Sequence, residues 1–146
     1  MKKSILNPIE NIQNAGTARE WADCARFGII RTKHDSVPYD KGSDIELGSR
    51  GISVKASGFT LMSGSLCKGL NSFEEIWNRY AERVHSNEFH YVTNNWECYE
   101  MSLDEFKEFV FKFARTERES SKNGGTLKIR CRKETAEMRE WLKART

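Results

Sequence analysis

Apolar and polar residues alternate along two short runs. In 44–47, Ile45 and Leu47 alternate with Asp44 and Glu46; in 52–57, Ile52, Val54 and Ala56 alternate with Ser53, Lys55 and Ser57. A period of two marks a half-buried strand. Gly48-Ser49-Arg50-Gly51 lies between the runs and supplies glycines where a tight turn needs positive φ. The pattern predicts a hairpin within 39–60. If Gly48 pairs with Gly51, Leu47 faces Ile52, Glu46 faces Ser53, Ile45 faces Val54 and Asp44 faces Lys55. All apolar residues then share one face, which a one-residue slip would destroy.

The period changes to helical elsewhere. Thr17-Ala18-Arg19-Glu20 reads as a capping box opening a first helix, with Trp21, Cys24, Ala25 and Gly28 on one face. Ser72-Phe73-Glu74-Glu75 is a second box, followed by Phe73, Ile76, Trp77, Tyr80 and Val84 at helical spacing to about His85. Ser102-Leu103-Asp104-Glu105 is a third, followed by Phe106, Phe109, Val110 and Phe113. Between these helices, 88–101 reads as a second hairpin around Asn94-Asn95, with His90 able to point to either face. Arg31 to Tyr39 is polar and holds His34, Asp35 and Pro38, as a loop or strand entry does. Residues 63–69, SGSLCKG, predict a flexible connecting loop, and residues 115–125 a charged linker. Residues 126–131 alternate again as a last strand, and 134–143 closes the chain as a helix with Met138, Trp141 and Leu142 inward.

The order is therefore helix, β-hairpin, helix, β-hairpin, helix, strand, helix. It predicts the α/β class, with an α+β mixed sheet.

Composition narrows the class. A length of 146 residues is one domain's worth, so 1–146 is read as a single domain. Sixteen aromatics argue against disorder. No apolar run approaches the ~20 residues of a membrane span, and the N-terminus lacks a signal-peptide core. The four cysteines, at 24, 67, 98 and 131, form no zinc-knuckle spacing. They predict reduced thiols and a cytoplasmic protein. Charge is uneven: residues 1–111 carry 13 Lys/Arg against 16 Asp/Glu, and residues 112–146 carry 11 against 5. The basic strand–helix segment, about 115–146, is either a solvated terminal face or a phosphate-binding surface.

Asp44, Glu46 and Lys55 share the polar face of the predicted hairpin. They form either a plain solvated face with a cross-strand Asp–Lys pair or a divalent-metal site. Carboxylate oxygens suit Mg²⁺, which keeps other positions for water and phosphate. A lysine beside it can orient the attacking water.

Asp44, a turn, then Ile52-Ser53-Val54-Lys55 resembles the core motif of the PD-(D/E)XK nuclease superfamily. In that family an Asp opens one strand, and the next strand carries an acidic residue, a spacer and a Lys. Asp44 and Lys55 match, and Ser53 stands where the second acid is expected. The resemblance spans roughly residues 14–113. It implies a restriction-endonuclease-like fold and a Mg²⁺- or Mn²⁺-dependent endonuclease acting on DNA, with RNA possible. Asp44 would bind the metal. Glu46, facing Ser53, would supply the missing carboxylate, and Lys55 would position the water. Glu20 either caps its helix or helps at the site, since the family often carries an acid on that helix. Lys68, Lys128, Arg130, Arg132 and Lys133 are candidates for phosphate contacts. So short a chain fits a homodimer, or a larger partner supplying specificity, with no membrane role. The alternatives are a catalytically inactive binding module on the same fold, holding nucleic acid or protein, and an interaction or inhibitor domain whose Asp44–Lys55 pair is structural.

Overall fold

A computed structural model describes residues 1–10, 12–31, 43–62, 64–119 and 125–146. The elements run β1 (Lys2–Ile5), α1 (Ala15–Arg26), β2 (Ile45–Leu47), β3 (Arg50–Ala56), α2 (Phe73–Arg83), β4 (Glu88–Val92), β5 (Glu97–Met101), α3 (Leu103–Phe113), β6 (Ala114–Arg118), β7 (Leu127–Cys131) and α4 (Ala136–Lys143). The fold is α+β, with strands and helices interleaved. A mixed sheet has the order β1-β5-β4-β3-β2, and β6 and β7 form a separate two-stranded ribbon. Among the described residues no helix is long and apolar enough to cross a membrane.

Only one neighbouring pair in the large sheet is parallel. β3 runs beside β4 with Ile52 opposite Glu88 and Lys55 opposite Tyr91. A parallel pair needs a crossover, and α2 provides it. Ser72 caps α2 by accepting from the Glu75 N–H at 3.2 Å. At α3 the capping box is complete, with Ser102 and Glu105 each satisfying the other's backbone N–H.

The pairings fix the two faces of the sheet. Ser53, Lys55, Phe89, Tyr91, Tyr99 and Met101 point one way, and Ile52, Val54, His90, Val92, Cys98 and Glu100 point the other. The first face meets α2, α3 and the ribbon in the main core. Phe89 and Phe106 stack there with ring centres 4.5 Å apart. The second face is covered by α1 through small residues: Ala22 packs with Leu6, Val92 and Cys98, and Cys24 with Ile45 and Ile52. All four cysteines are buried and free.

Several sequence expectations need correction. The first helix starts at Ala15, capped by Asn14, whose side chain accepts from Thr17 N–H at 3.0 Å. Thr17 and Glu20 therefore lie inside the helix, and Glu20 has no capping duty. The hairpin register is shifted by two: Ile45 pairs with Ile52, Glu46 with Gly51 and Leu47 with Arg50. Gly48 takes the positive φ of 58° at the first position of a two-residue turn. Gly51 is needed for space instead, because a Cβ there would lie 2.9 Å from Ser43 Oγ. The first part of the supposed linker is strand β6, paired along its length with β7. The N-terminus contributes β1, paired with β5. Within the supposed flexible loop, residues Gly64–Cys67 form a 3-10 turn pinned by the fully buried Cys67. His34, Asp35, Pro38 and Tyr39 lie outside the described residues.

Beneath α1 sits a polar network. Asp23 and His90 are both fully buried, and Nδ1 of His90 lies 2.6 Å from Asp23 Oδ2. Arg26 Nε donates to Asp23 Oδ1 at 2.7 Å. On the other side of the ring, His90 Nε2 lies 3.1 Å from Glu88 Oε2. Arg50 grips Glu88 with a two-pronged fork, at 2.6 and 2.9 Å. That fork holds the Glu88 carboxyl down at about 2.

Removing one member of a buried charge network strands the others. Asp23→Ala should cost roughly 3–5 kcal/mol by that rule. Urea unfolding would measure it, and a loss below 1 kcal/mol would show that His90 and Arg26 find other partners.

A candidate functional site at the edge of β3

β2 is three residues long. Just before it, the Asp44 N–H still donates to Ile52 O at 2.8 Å, but the backbone ladder goes no further among the described residues. The side chain takes over. Asp44 Oδ2 accepts from the backbone N–H of Val54 at 2.7 Å, in place of a missing strand partner. Asp44 therefore marks the point where β2 leaves β3, and groups from both faces of the sheet converge on that gap.

Glu20 reaches it from α1, on one face, and its carboxyl lies within hydrogen-bonding reach of Asp44. Two carboxyls so placed repel unless one holds a proton or a cation intervenes. Burial, and then the charge of Asp44, push Glu20 up to about 7. Burial also raises Asp44, opposed by the Val54 N–H and by Lys55. Lys55 arrives from the other face. Burial lowers its pKa, against the pull of Asp44 and Glu20. The shifts run in opposite senses for acid and base, a pattern typical of functional sites.

Two more residues complete the surroundings. Arg31 donates from Nη2 to the Asp44 carbonyl at 2.9 Å, and its charge lowers the pKa of both Glu20 and Asp44. Tyr80, on α2, buries its hydroxyl beside Ser53 and Asp44 with no well-formed hydrogen-bond partner among the described residues. Burial and the nearby Asp44 charge raise its pKa. Sequence reading placed Arg31 at the head of a polar loop and Tyr80 on a core-facing stripe. Neither position carried a signal of the site, because their approach depends on how α1 and α2 dock.

The sites expected from sequence are thus partly assembled. Asp44, Lys55 and Glu20 come together. Glu46 does not: it is exposed and sits opposite Gly51. Ser53 is buried and has no acid across the hairpin from it at Glu46. The second carboxyl comes from the helix, in the part that the shifted cap leaves free. Asp44 and Glu20 supply hard oxygen donors of the kind Mg²⁺ or Mn²⁺ takes. The buried Tyr80 hydroxyl adds a polar group able to hold a water there.

A second set of donor atoms lies under α1. Asp23, His90 and Cys98 place one atom each within 4.8 Å of one another, as do Glu88, His90 and Glu100. A His, Cys and carboxylate set suits Zn²⁺ better than Mg²⁺. Guanidinium groups already occupy these atoms: Arg26 lies 3.7 Å from both Cys98 Sγ and Glu100, and Arg50 holds Glu88. A metal would have to displace both arginines.

The basic candidates lie apart from the carboxyls. Lys128 and Arg130 project from β7, Arg132 and Lys133 follow it, and Lys68 is exposed just past the 3-10 turn that packs on β7. β7 is tied to the chain that follows β3. Cys131 N–H donates to Phe59 O at 2.9 Å, and Glu134 N–H to Ser57 Oγ at 2.8 Å.

Comparison of the chain with protein-family models, with curated proteins and with solved structures gives no match.

The Glu20 shift has a testable sign. Its folded pKa of about 7 lies above the ordinary 4.5, so the folded state holds the proton more tightly between those values. This group's contribution to stability is full below pH ~4.5 and is lost as pH rises through ~7. In EDTA, the wild-type urea midpoint should fall between pH 5 and pH 7.5 relative to that of Glu20→Gln. Parallel pH profiles for the two proteins would contradict the placement of Glu20 against Asp44.

Proposed function

We propose that the protein is a metal-dependent nuclease that hydrolyses DNA phosphodiester bonds at the open edge of β3. The observation that carries this reading is the convergence of Glu20, Asp44 and Lys55 from three elements. The resemblance of Asp44 and Ile52-Ser53-Val54-Lys55 to the PD-(D/E)XK motif supports the same reading. Asp44 and Glu20 would hold Mg²⁺ or Mn²⁺, with Glu20 in the place proposed for Glu46 from sequence. A metal bound there would supply Lewis-acid activation of water and charge neutralisation at the phosphate. Lys55 orients the attacking water. Its lowered pKa leaves a larger neutral fraction able to accept the proton that water gives up. Arg31 limits the mutual repulsion of the two carboxyls before substrate arrives.

One observation favours a second reading, a binding module that does not cut. Arg31 and Lys55 already bring as much positive charge to the gap as Asp44 and Glu20 bring negative charge. With Ser53 in the motif, such a site is electrically closed and needs no metal.

Cleavage of supercoiled plasmid and of linear duplex, with Mg²⁺, Mn²⁺ or EDTA, separates the two. Asp44→Ala, Glu20→Gln and Lys55→Ala should each lower metal-dependent cleavage on the order of 10²-fold or more. Glu46→Ala should cut like wild type. No cutting with any metal favours the binding module, and loss of activity in Glu46→Ala alone would place the acid elsewhere.

A further inference from the structure

The outward face of the β6–β7 ribbon gathers positive charge that the fold leaves poorly matched. In the register, Arg115 lies directly opposite Arg130. Like charges facing each other across a strand pair are destabilising. One carboxylate, Glu117, stands near both, 3.9 Å from Arg115 and 4.0 Å from Arg130, at the outer limit of ion pairing. Next to them a cavity of about 320 Å³ is lined by Arg115, Glu117, Arg130, Cys131, Arg132 and Lys133. Four cations and one acid line that cavity. Arg132 lies over the Phe113 ring and spends Nη2 on Glu137 at 3.2 Å. Its Nε is buried with no hydrogen-bond partner among the described residues.

We infer that this ribbon pocket is a phosphate clamp for the DNA backbone, with Arg115 and Arg130 as its two jaws. The inference rests on the proposed function for the identity of its ligand. An anion between the opposed guanidiniums removes their repulsion and offers them a two-pronged acceptor. The charge is also a row rather than a point. Lys128, Arg130 and Arg132 alternate along one chain, about 7 Å apart at strand spacing. A row suits a linear polyanion better than a small metabolite. The location agrees, because β7 is stitched to Phe59 and Ser57, directly beyond the end of β3 that carries Lys55. A lipid surface would also present phosphates, but stable membrane binding by a surface patch usually adds apolar insertion to charge. Among the described residues, the exposed large apolar ones, Ile5, Ile30, Leu66 and Phe111, lie off the ribbon.

The test is fluorescence anisotropy of a labelled 30-base-pair duplex in EDTA, which keeps binding separate from cleavage, over 50–200 mM NaCl. The Arg115→Ala/Arg130→Ala double variant should bind about tenfold or more weakly. Its slope of log affinity against log salt should be shallower by roughly 1.8, for two lost phosphate contacts. Arg130→Lys should retain most of the slope, and Lys107→Ala, on α3, should match wild type. Circular dichroism confirms that the variants are folded. Unchanged affinity and slope in the double variant overturn the clamp, even if plasmid cleavage still needs Asp44. Ribbon-dependent binding to phosphatidylserine vesicles with none to DNA also overturns it. Ribbon-dependent DNA binding without cleavage in any metal upholds the clamp and removes only the hydrolytic reading.

Discussion

The hydrogen bond between Asp23 and His90 ties α1 to the centre of the sheet. The apolar contact of this helix is modest, made by Ala18, Ala22 and Cys24. Small residues pack closely but fix rotation weakly. A short polar bond with both partners fully buried does the opposite: displacement strands both groups in a low-dielectric interior. Arg26 adds a second hold, since it meets Asp23 beside it and Glu100 on β5. Glu20 lies one turn before Asp23 on the same helix. The bond that orients α1 therefore also sets where the Glu20 carboxyl falls.

The site itself arises from an interrupted ladder. Because β2 stops at three residues, Val54 N–H has no backbone strand partner on that side among the described residues. A carboxylate from Asp44 satisfies it and is thereby held in the gap. A sheet interior would have buried Lys55 among apolar side chains with no acid in reach. At the broken edge it meets two. Burial raises the pKa of both acids and lowers that of the base.

Much of this was legible from residue pattern, because it rests on local chemistry. Ser72 and Ser102 announce α2 and α3 through hydrogen bonds closed within one turn. Alternation gave β3, β4, β5 and β7, and the pairing of Asp44 with Lys55 as site residues came from the motif. The hairpin register is not fixed by alternation, for a specific reason. A slide of two residues keeps every apolar side chain on its face, so alternation cannot distinguish the two registers. Turn chemistry decides, and Gly51, which looked like a turn residue, is there to clear Ser43. The charged sequence of β6 hid a strand, because only β7 gives its backbone a partner. β1 is likewise defined by β5.

Sequence by itself determined the helices α1 to α4 and the strands β2 to β5 and β7, which faces are apolar, and that an Asp and a Lys flank one turn. Those properties follow from periods of 2 and 3.6 and from bonds between near neighbours. Tertiary structure alone decided that Glu20 rather than Glu46 joins Asp44, that Arg31 and Tyr80 border the same gap, and that two arginines face each other on the ribbon. Each of these joins groups carried on separate elements. Their meeting is set by the docking of α1 and by strand register, which no local pattern encodes.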